Sequence, residues 1–246
     1  MQIRKALVTG GAARLGRAIA LALAEDGFDV AVHFNSSADA ARATAGEIRA
    51  MGRTASVHQA DLLENDAVEA LMPAAASALG APISVLVNNA SVFEYDRIDT
   101  ATPDSWDRHI GSNLRAPFFL TQAFAAQVPD PVMDENGEPI AQGLIVNMLD
   151  QRMRKSTPEF ATYTIAKMGL AALTQTAAQG LAPRVRVNAI GPGPTVQGHR
   201  QSDDHFARQR AATILKRGSN PQDVVGALRY FLNAPGVTGQ YLAAHD

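Results

Sequence analysis

The stretch Thr9-Gly10-Gly11-Ala12-Ala13-Arg14-Leu15-Gly16 follows a short apolar run, Ala6-Leu7-Val8, and leads straight into a second one. In that second run Leu15, Ala18, Ile19, Ala22 and Leu23 recur at helical spacing and form one apolar face. Gly27 stands where such a helix would stop. The octet is therefore a glycine turn between a strand and a helix. Glycines permit the tight turn and let the backbone approach a pyrophosphate, whose charge is favoured at a helix N-terminus. An ordinary strand–helix turn is the bland alternative. Placement between the first strand and the first helix of an alternating chain argues against it.

The alternation continues outward from this turn. The expected strands are Ala6–Thr9, Asp29–Phe34, Ala55–Gln59, Ser84–Val87, Leu144–Met148, Arg186–Ala189 and Gln240–Ala243. Several lack in/out alternation, as strands covered on both faces do. The expected helices after the first are Ala38–Met51, Glu64–Leu79, Asp104–Val128, Glu159–Leu181 and Pro221–Leu232, the last with Asn220 as cap. Strand–helix alternation over residues 1–246, with no repeat and no low-complexity linker, predicts one α/β domain wound into a parallel sheet. Two stretches break the rhythm. Pro129–Gln142 is acidic and proline-rich and reads as a solvated excursion. Gly191–His205 follows a strand and is placed to cover a ligand beyond the sheet's carboxyl ends.

Composition excludes several classes. The 246 residues carry 22 Lys plus Arg against 24 Asp plus Glu, a formal charge of −2, so bulk basicity gives no case for nucleic acid. There is no cysteine, which removes thiolate metal sites, iron–sulfur clusters and cysteine nucleophiles. Six scattered histidines form no ligand motif, so no metal is expected. No run reaches the length of a membrane span, and the apolar stretch in Met1–Gly10 is too short for a signal peptide. The expected location is the cytoplasm.

The end of the second strand bears on the cofactor. NAD would call for Asp or Glu there, to hold the ribose hydroxyls. The chain instead has His33-Phe34-Asn35-Ser36, with hydrogen-bonding groups and no carboxylate. Arg14, in the glycine turn, can offer a guanidinium to a 2′-phosphate. The expectation is NADP(H), with His33, Asn35 and Ser36 among its contacts.

Tyr163-Thr164-Ile165-Ala166-Lys167 puts a phenol and an ammonium four residues apart on one helix face. An ammonium favours the phenolate and makes the pair a usable acid–base near neutral pH. With it occur Thr9-Gly10 and Gly16, Asp61-Leu62, Asn88-Asn89-Ala90, Asn113 and Pro192-Gly193, and, further on, Pro221-Gln222-Asp223-Val224 and Val237-Thr238-Gly239-Gln240. In order and spacing the chain resembles the short-chain dehydrogenase/reductase family over essentially its whole length. The resemblance implies a Rossmann fold, a doubly wound seven-stranded parallel sheet with helices on both faces, hydride transfer from a nicotinamide, and a homotetramer. It also implies roles. Gly10, Leu15 and Gly16 line the pyrophosphate. Asp61 and Leu62 meet adenine. Asn89, Ala90 and Ser91 back the ribose and nicotinamide. Lys167 binds the nicotinamide ribose, Asn113 holds a water that links Lys167 to solvent, and Thr195 meets the carboxamide beside Pro192 and Gly193.

One position departs. The family's catalytic serine, thirteen residues before the tyrosine, is Asp150 here. A carboxylate repels an alkoxide developing on a carbonyl oxygen. It suits a substrate that is cationic or takes up a proton at nitrogen, such as a cyclic C=N bond. A degenerate site is the bland reading. The same departure occurs in pteridine reductases and related bacterial dihydropterin reductases, which the chain also resembles at Arg14, at Asn88-Asn89-Ala90-Ser91-Val92-Phe93 and at Gly191-Pro192-Gly193-Pro194. That resemblance implies a pterin or folate-type substrate stacked on Phe93, with Arg14 and Ser91 holding cofactor phosphate and substrate, and Asp150, Tyr163 and Lys167 relaying protons. Phe93 packing a loop and Arg14 serving the cofactor alone stay open. Arg152, Arg154 and Lys155 read as solvated surface that can also greet an anionic tail. A carbonyl reductase such as a 3-oxoacyl-carrier-protein reductase would carry Ser at 150; a non-catalytic NADP(H) sensor would have no need of Tyr163 and Lys167. The family's usual Asp-Gly-Gly segment after the last strand has no counterpart in Ala244-His245-Asp246.

Overall fold

The computed structural model describes residues 3–153, 156–197 and 201–244. Strands β1 (Lys5–Val8), β2 (Asp29–Phe34), β3 (Ala55–Gln59), β4 (Val85–Asn88), β7 (Gly143–Met148), β8 (Val185–Gly191) and β9 (Tyr241–Ala243) form one seven-stranded sheet in the order β3-β2-β1-β4-β7-β8-β9. Every neighbouring pair is parallel. Helices α1 (Arg14–Glu25), α2 (Ala38–Ala50) and α8 (Pro221–Asn233) cover one face; α3 (Asn65–Leu79), α5 (Ala116–Gln127) and α6 (Ala161–Leu181) cover the other. The strands serve both layers alternately. In β1, Ala6 and Val8 point into the first core while Leu7 points into the second, and β4 repeats this with Val85, Val87 and Leu86. That two-sided burial is the reason the runs are continuously apolar. β1 lies at the reversal of strand order, so the crevice beyond β1 and β4 is where such a sheet binds ligands.

Each strand forms within two residues of its expected bounds, and Gly27, with φ +87°, closes the end of α1. Asp104–Val128 is not one helix. It divides into α4 (Pro103–Ile110), a π-helical turn over Gly111–Arg115, and α5. Pro117 has no N–H to return to the Asn113 carbonyl, and the Ala116 N–H reaches back to Gly111 instead. The acidic Pro129–Gln142 stretch contains a hairpin of β5 (Val132–Met133) and β6 (Pro139–Ile140). Its Asp134 carboxylate accepts the Asn136 and Glu138 N–H groups at 2.8 Å each, so this acid builds the turn. Within Gly191–His205 and beyond it lies α7 (Asp203–Ala211), absent from the expected elements. None of its residues is buried, so it carries no apolar stripe to read. Asn220 caps α8 as expected, in a capping box with Asp223, whose carboxylate accepts the Asn220 N–H at 2.7 Å; the Asn220 side-chain oxygen also accepts from Arg210 at 3.2 Å. Among the described residues no helix is long and apolar enough to cross a membrane, and no three His, Asp or Glu are grouped to hold a metal.

Candidate active site

A cleft of about 560 Å³ opens at the carboxyl ends of β1, β2, β4 and β7. Its floor is the glycine turn. Gly10 has φ +61°, and a Cβ at Gly16 would lie 2.0 Å from the Gly10 carbonyl oxygen, so both positions exclude a side chain. Thr9 ties this turn to the segment after β4. Its hydroxyl oxygen accepts the Asn89 and Ala90 N–H groups at 2.9 and 3.0 Å, and the Asn89 amide donates back to the Thr9 carbonyl at 2.9 Å. Deeper in the sheet the Asn88 amide donates to Asn147 at 2.8 Å, and Asn147 donates to Thr174 of α6 at 2.9 Å. These polar bridges fix the mutual placement of the strand ends. The cleft brings together every residue expected to touch the cofactor, from Gly10 to Thr195, including Asn35, Ser36, Asp61, Leu62, Ser91, Pro192 and Gly193.

Two of these residues, His33 and Arg14, and the expected catalytic Asn113 are engaged with backbone groups. His33 is 1% exposed, and its nitrogens are already engaged: Nδ1 accepts the Gly10 N–H at 3.0 Å, and Nε2 donates to the Ala60 carbonyl at 3.0 Å. Burial pulls its pKa down to about 4, so the ring is neutral, and it holds the glycine turn. Arg14 adopts φ +53°, and its guanidinium donates to the Val196 and Gln197 carbonyls at 3.1 and 3.0 Å. It thus reaches across the cleft to the loop after β8. Asn113 is fully buried and lies outside the cleft lining; its side-chain oxygen and nitrogen both bind the Val92 backbone, at 2.9 Å each. Its side chain pins the loop at Val92.

The acid–base group sits on the opposite wall. Tyr163 Oη donates to Asp150 Oδ2 at 3.0 Å, across the gap between α6 and the end of β7. Lys167, one turn further along α6 and 3% exposed, donates from Nζ to the Met148 carbonyl at 2.8 Å. Burial lowers the Lys167 pKa to about 8, opposed by the Asp150 charge. Nζ lies 5.7 Å from the Tyr163 ring centre. Thr195 donates to the Gly193 carbonyl at 3.0 Å and pairs with Ser219, which shapes its loop. Phe93 does not line the cleft itself; it stands at the rim beside the lining residues Val92 and Tyr163 and is half-exposed. It stacks on Phe160 with ring centres 4.4 Å apart and meets the Tyr163 ring edge-on at 4.7 Å. Arg154, Lys155 and the Arg152 side chain lie outside the described residues.

The structure adds residues that sequence reasoning missed. Arg108 lines the cleft and grips Glu94 with two bonds, at 2.8 and 3.2 Å. Asp96, His109 and Thr162 form a buried polar group behind Phe93 and Tyr163. No local motif marks them: Arg108 meets Glu94 across 14 positions, and Thr162 meets His109 and Asp96 across 53 and 66.

Comparison with known proteins places this cleft. The chain is 32% identical over 242 residues to the 3-oxoacyl-[acyl-carrier-protein] reductase FabG of Staphylococcus epidermidis, covering 96% of this chain and 95% of that protein. It superposes on the crystal structure of FolM alternative dihydrofolate reductase 1 from Brucella suis in complex with NADP with a TM-score of 0.89 and 40% identity, over 98% of this chain and 92% of that one. A short chain dehydrogenase from Burkholderia cenocepacia in complex with NADP gives a TM-score of 0.87 and 31% identity, over 98% and 95%. Residues 4–206 match the family model for short chain dehydrogenases, and the chain belongs to that family.

Proposed function

We propose that this chain is an NADPH-dependent reductase that adds hydride to a C=N bond of a dihydropterin or dihydrofolate-type substrate. The single observation that carries the reading is the Asp150 carboxylate accepting from Tyr163 Oη at 3.0 Å, in the place of the family's serine. A carboxylate against the catalytic phenol disfavours an alkoxide and favours a ring nitrogen that takes up a proton. The similarity to a FolM alternative dihydrofolate reductase points the same way.

The residues fit the cofactor. The Gly10–Gly16 cradle is closed to any side chain, as close approach of a pyrophosphate requires, and β2 ends without a carboxylate at Asn35 and Ser36. When bound, NADPH supplies the hydride. Tyr163 Oη delivers the proton to the reduced nitrogen, and Asp150 orients the phenol. Lys167 brings a positive charge beneath the phenol and is placed to bind the nicotinamide ribose. Ser91 and Phe93 flank the place of the substrate ring.

The test is turnover of dihydrobiopterin, dihydromonapterin and dihydrofolate with NADPH, in wild type and Asp150→Ser. Wild type should reduce at least one, and Asp150→Ser should lose at least about tenfold in kcat. Ketone reduction without pterin or folate reduction would instead favour the 3-oxoacyl-carrier-protein reductase reading, which the identity to FabG supports. For assembly we propose a homotetramer. Phe118 and Phe119 of α5 and Ile165 and Met168 of α6 are exposed apolar groups suited to burial between subunits. Light scattering should give four chains per particle; a monomer would refute this.

A further inference from the structure

Phe93 is 51% exposed, yet the residues on either side of it are held by buried side chains. On one side, Val92 is bound at both its N–H and its carbonyl by Asn113. On the other, the Glu94 N–H donates to Nε2 of His109 at 3.1 Å. His109 and Asn113 are four residues apart, where the last turn of α4 passes into the π turn. An aromatic rim residue is thus displayed between two fixed points on a single stretch of helix.

His109 also faces the other way. Fully buried, it accepts from Glu94 at Nε2, so in its neutral form the proton sits on Nδ1, 2.7 Å from Thr162 Oγ1. The Thr162 hydroxyl then donates to Asp96 Oδ2, and Asp96 Oδ1 accepts the Thr162 N–H at 3.2 Å. The Asp96 carbonyl takes the Phe160 N–H at 2.7 Å. Phe160 caps α6 with φ +59° and has no side-chain oxygen to offer, so Asp96 does the capping from a distant segment. Tyr163 is the next residue after Thr162, and its ring lies 6.0 Å from the His109 ring. Burial lowers the His109 pKa; Asp96 is also lowered, because bonds from Thr162 and Ser105 outweigh its burial, and both keep the states this chain of bonds needs.

We propose that His109 is a positioning residue that sets Phe93 through Glu94 and sets Tyr163 through Thr162 and Asp96, so that one buried imidazole registers the substrate-facing ring against the proton donor. The Phe93 half rests on the reading of the substrate given above. Amide isosteres separate the two bonds. His109→Gln presents an amide at the Nε2 position and keeps the Glu94 bond, while His109→Asn presents one at the Nδ1 position and keeps the Thr162 bond.

The experiment is steady-state kinetics of wild type, His109→Asn, His109→Gln, Phe93→Ala, Thr162→Val and Thr162→Ser, with NADPH titrated by fluorescence in each. His109→Asn should raise the substrate KM about tenfold with kcat within about threefold, the loss of one neutral hydrogen bond read in binding. His109→Gln should lower kcat about tenfold with little change in KM. Thr162→Val, which keeps His109 but removes its Nδ1 partner, should reproduce that kcat loss, and Thr162→Ser should restore it. NADPH affinity should stay within about twofold throughout. Parallel loss of kcat, KM and NADPH affinity in every variant would mean a merely structural role and would overturn the proposal. A raised KM in Phe93→Ala without one in His109→Asn overturns the pinning and leaves the substrate reading intact. A Phe93→Ala enzyme with unchanged KM overturns both. If wild type reduces only carbonyl compounds, the substrate reading fails, and the same series on that substrate still decides the role of His109.

Discussion

Two buried bases beside the cleft show how burial fixes a residue's state. Lys167 is pulled down to about pH 8, so its ammonium persists at neutral pH at a cost to folding. Between about pH 8 and the ordinary lysine value of 10.5 the unfolded chain holds this proton and the folded chain does not, so the group makes stability rise with pH across that window. Lys167→Met should therefore raise stability at pH 7 by about 1–3 kcal/mol while abolishing turnover, with the gain fading above pH 8. Urea unfolding at pH 7 and pH 10 measures this. Asp150 supports the ammonium, so Asp150→Ser should move the basic limb of the kcat/KM profile to lower pH. A limb that stays in place or moves up would contradict the coupling. His33 behaves in the matching way at acid pH. Its folded pKa of about 4 lies below the ordinary histidine value of 6.5, so stability present above 6.5 is lost as pH falls toward 4. His33→Gln should flatten that loss, as unfolding at pH 7 and pH 5 will show, and should weaken NADPH binding by releasing Gly10. None of this was legible in the residue types: His33 reads only as one of the cofactor's contacts until its two partners are seen.

At the scale of elements, the turn between β1 and α1 tolerates least. Gly16→Ala would drive a Cβ to 2.0 Å from the Gly10 carbonyl oxygen. It should cost at least about 2 kcal/mol in stability and remove measurable NADPH binding. Gly46 is the contrast. It sits in α2 with open space around it, so Gly46→Ala should stabilise by about 0.5–1 kcal/mol and leave turnover unchanged. Thermal melts and NADPH titration of the two variants test whether the cradle or general helix content sets the outcome. Elements with an apolar period were legible in sequence, because α1, α2 and α8 each bury one face of such a pattern. The π turn was not, because its cause is a missing N–H at Pro117 combined with packing. Neither was α7, whose residues bury nothing.

For the whole molecule, the cleft spans both halves of the sheet, so a ligand in it links β1–β3 to β4, β7 and β8. NADPH at a hundred times its Kd should raise unfolding stability by about 2.7 kcal/mol, and NADH at the same concentration by less. Equal protection by NADH would refute the cofactor preference drawn from Asn35, Ser36 and the absent carboxylate. The sequence by itself determined what local rules govern. Strand and helix periods, the glycine turn and the four-residue spacing of Tyr163 and Lys167 depend only on near neighbours. The tertiary structure alone decided which polar groups are already used. His33 takes its partners 23 and 27 positions away, Thr162 meets Asp96 across 66, and Arg14 reaches Val196 across 182. A donor or acceptor has one geometry to spend, and which group meets it depends on how distant strands come together, which no stretch of sequence records.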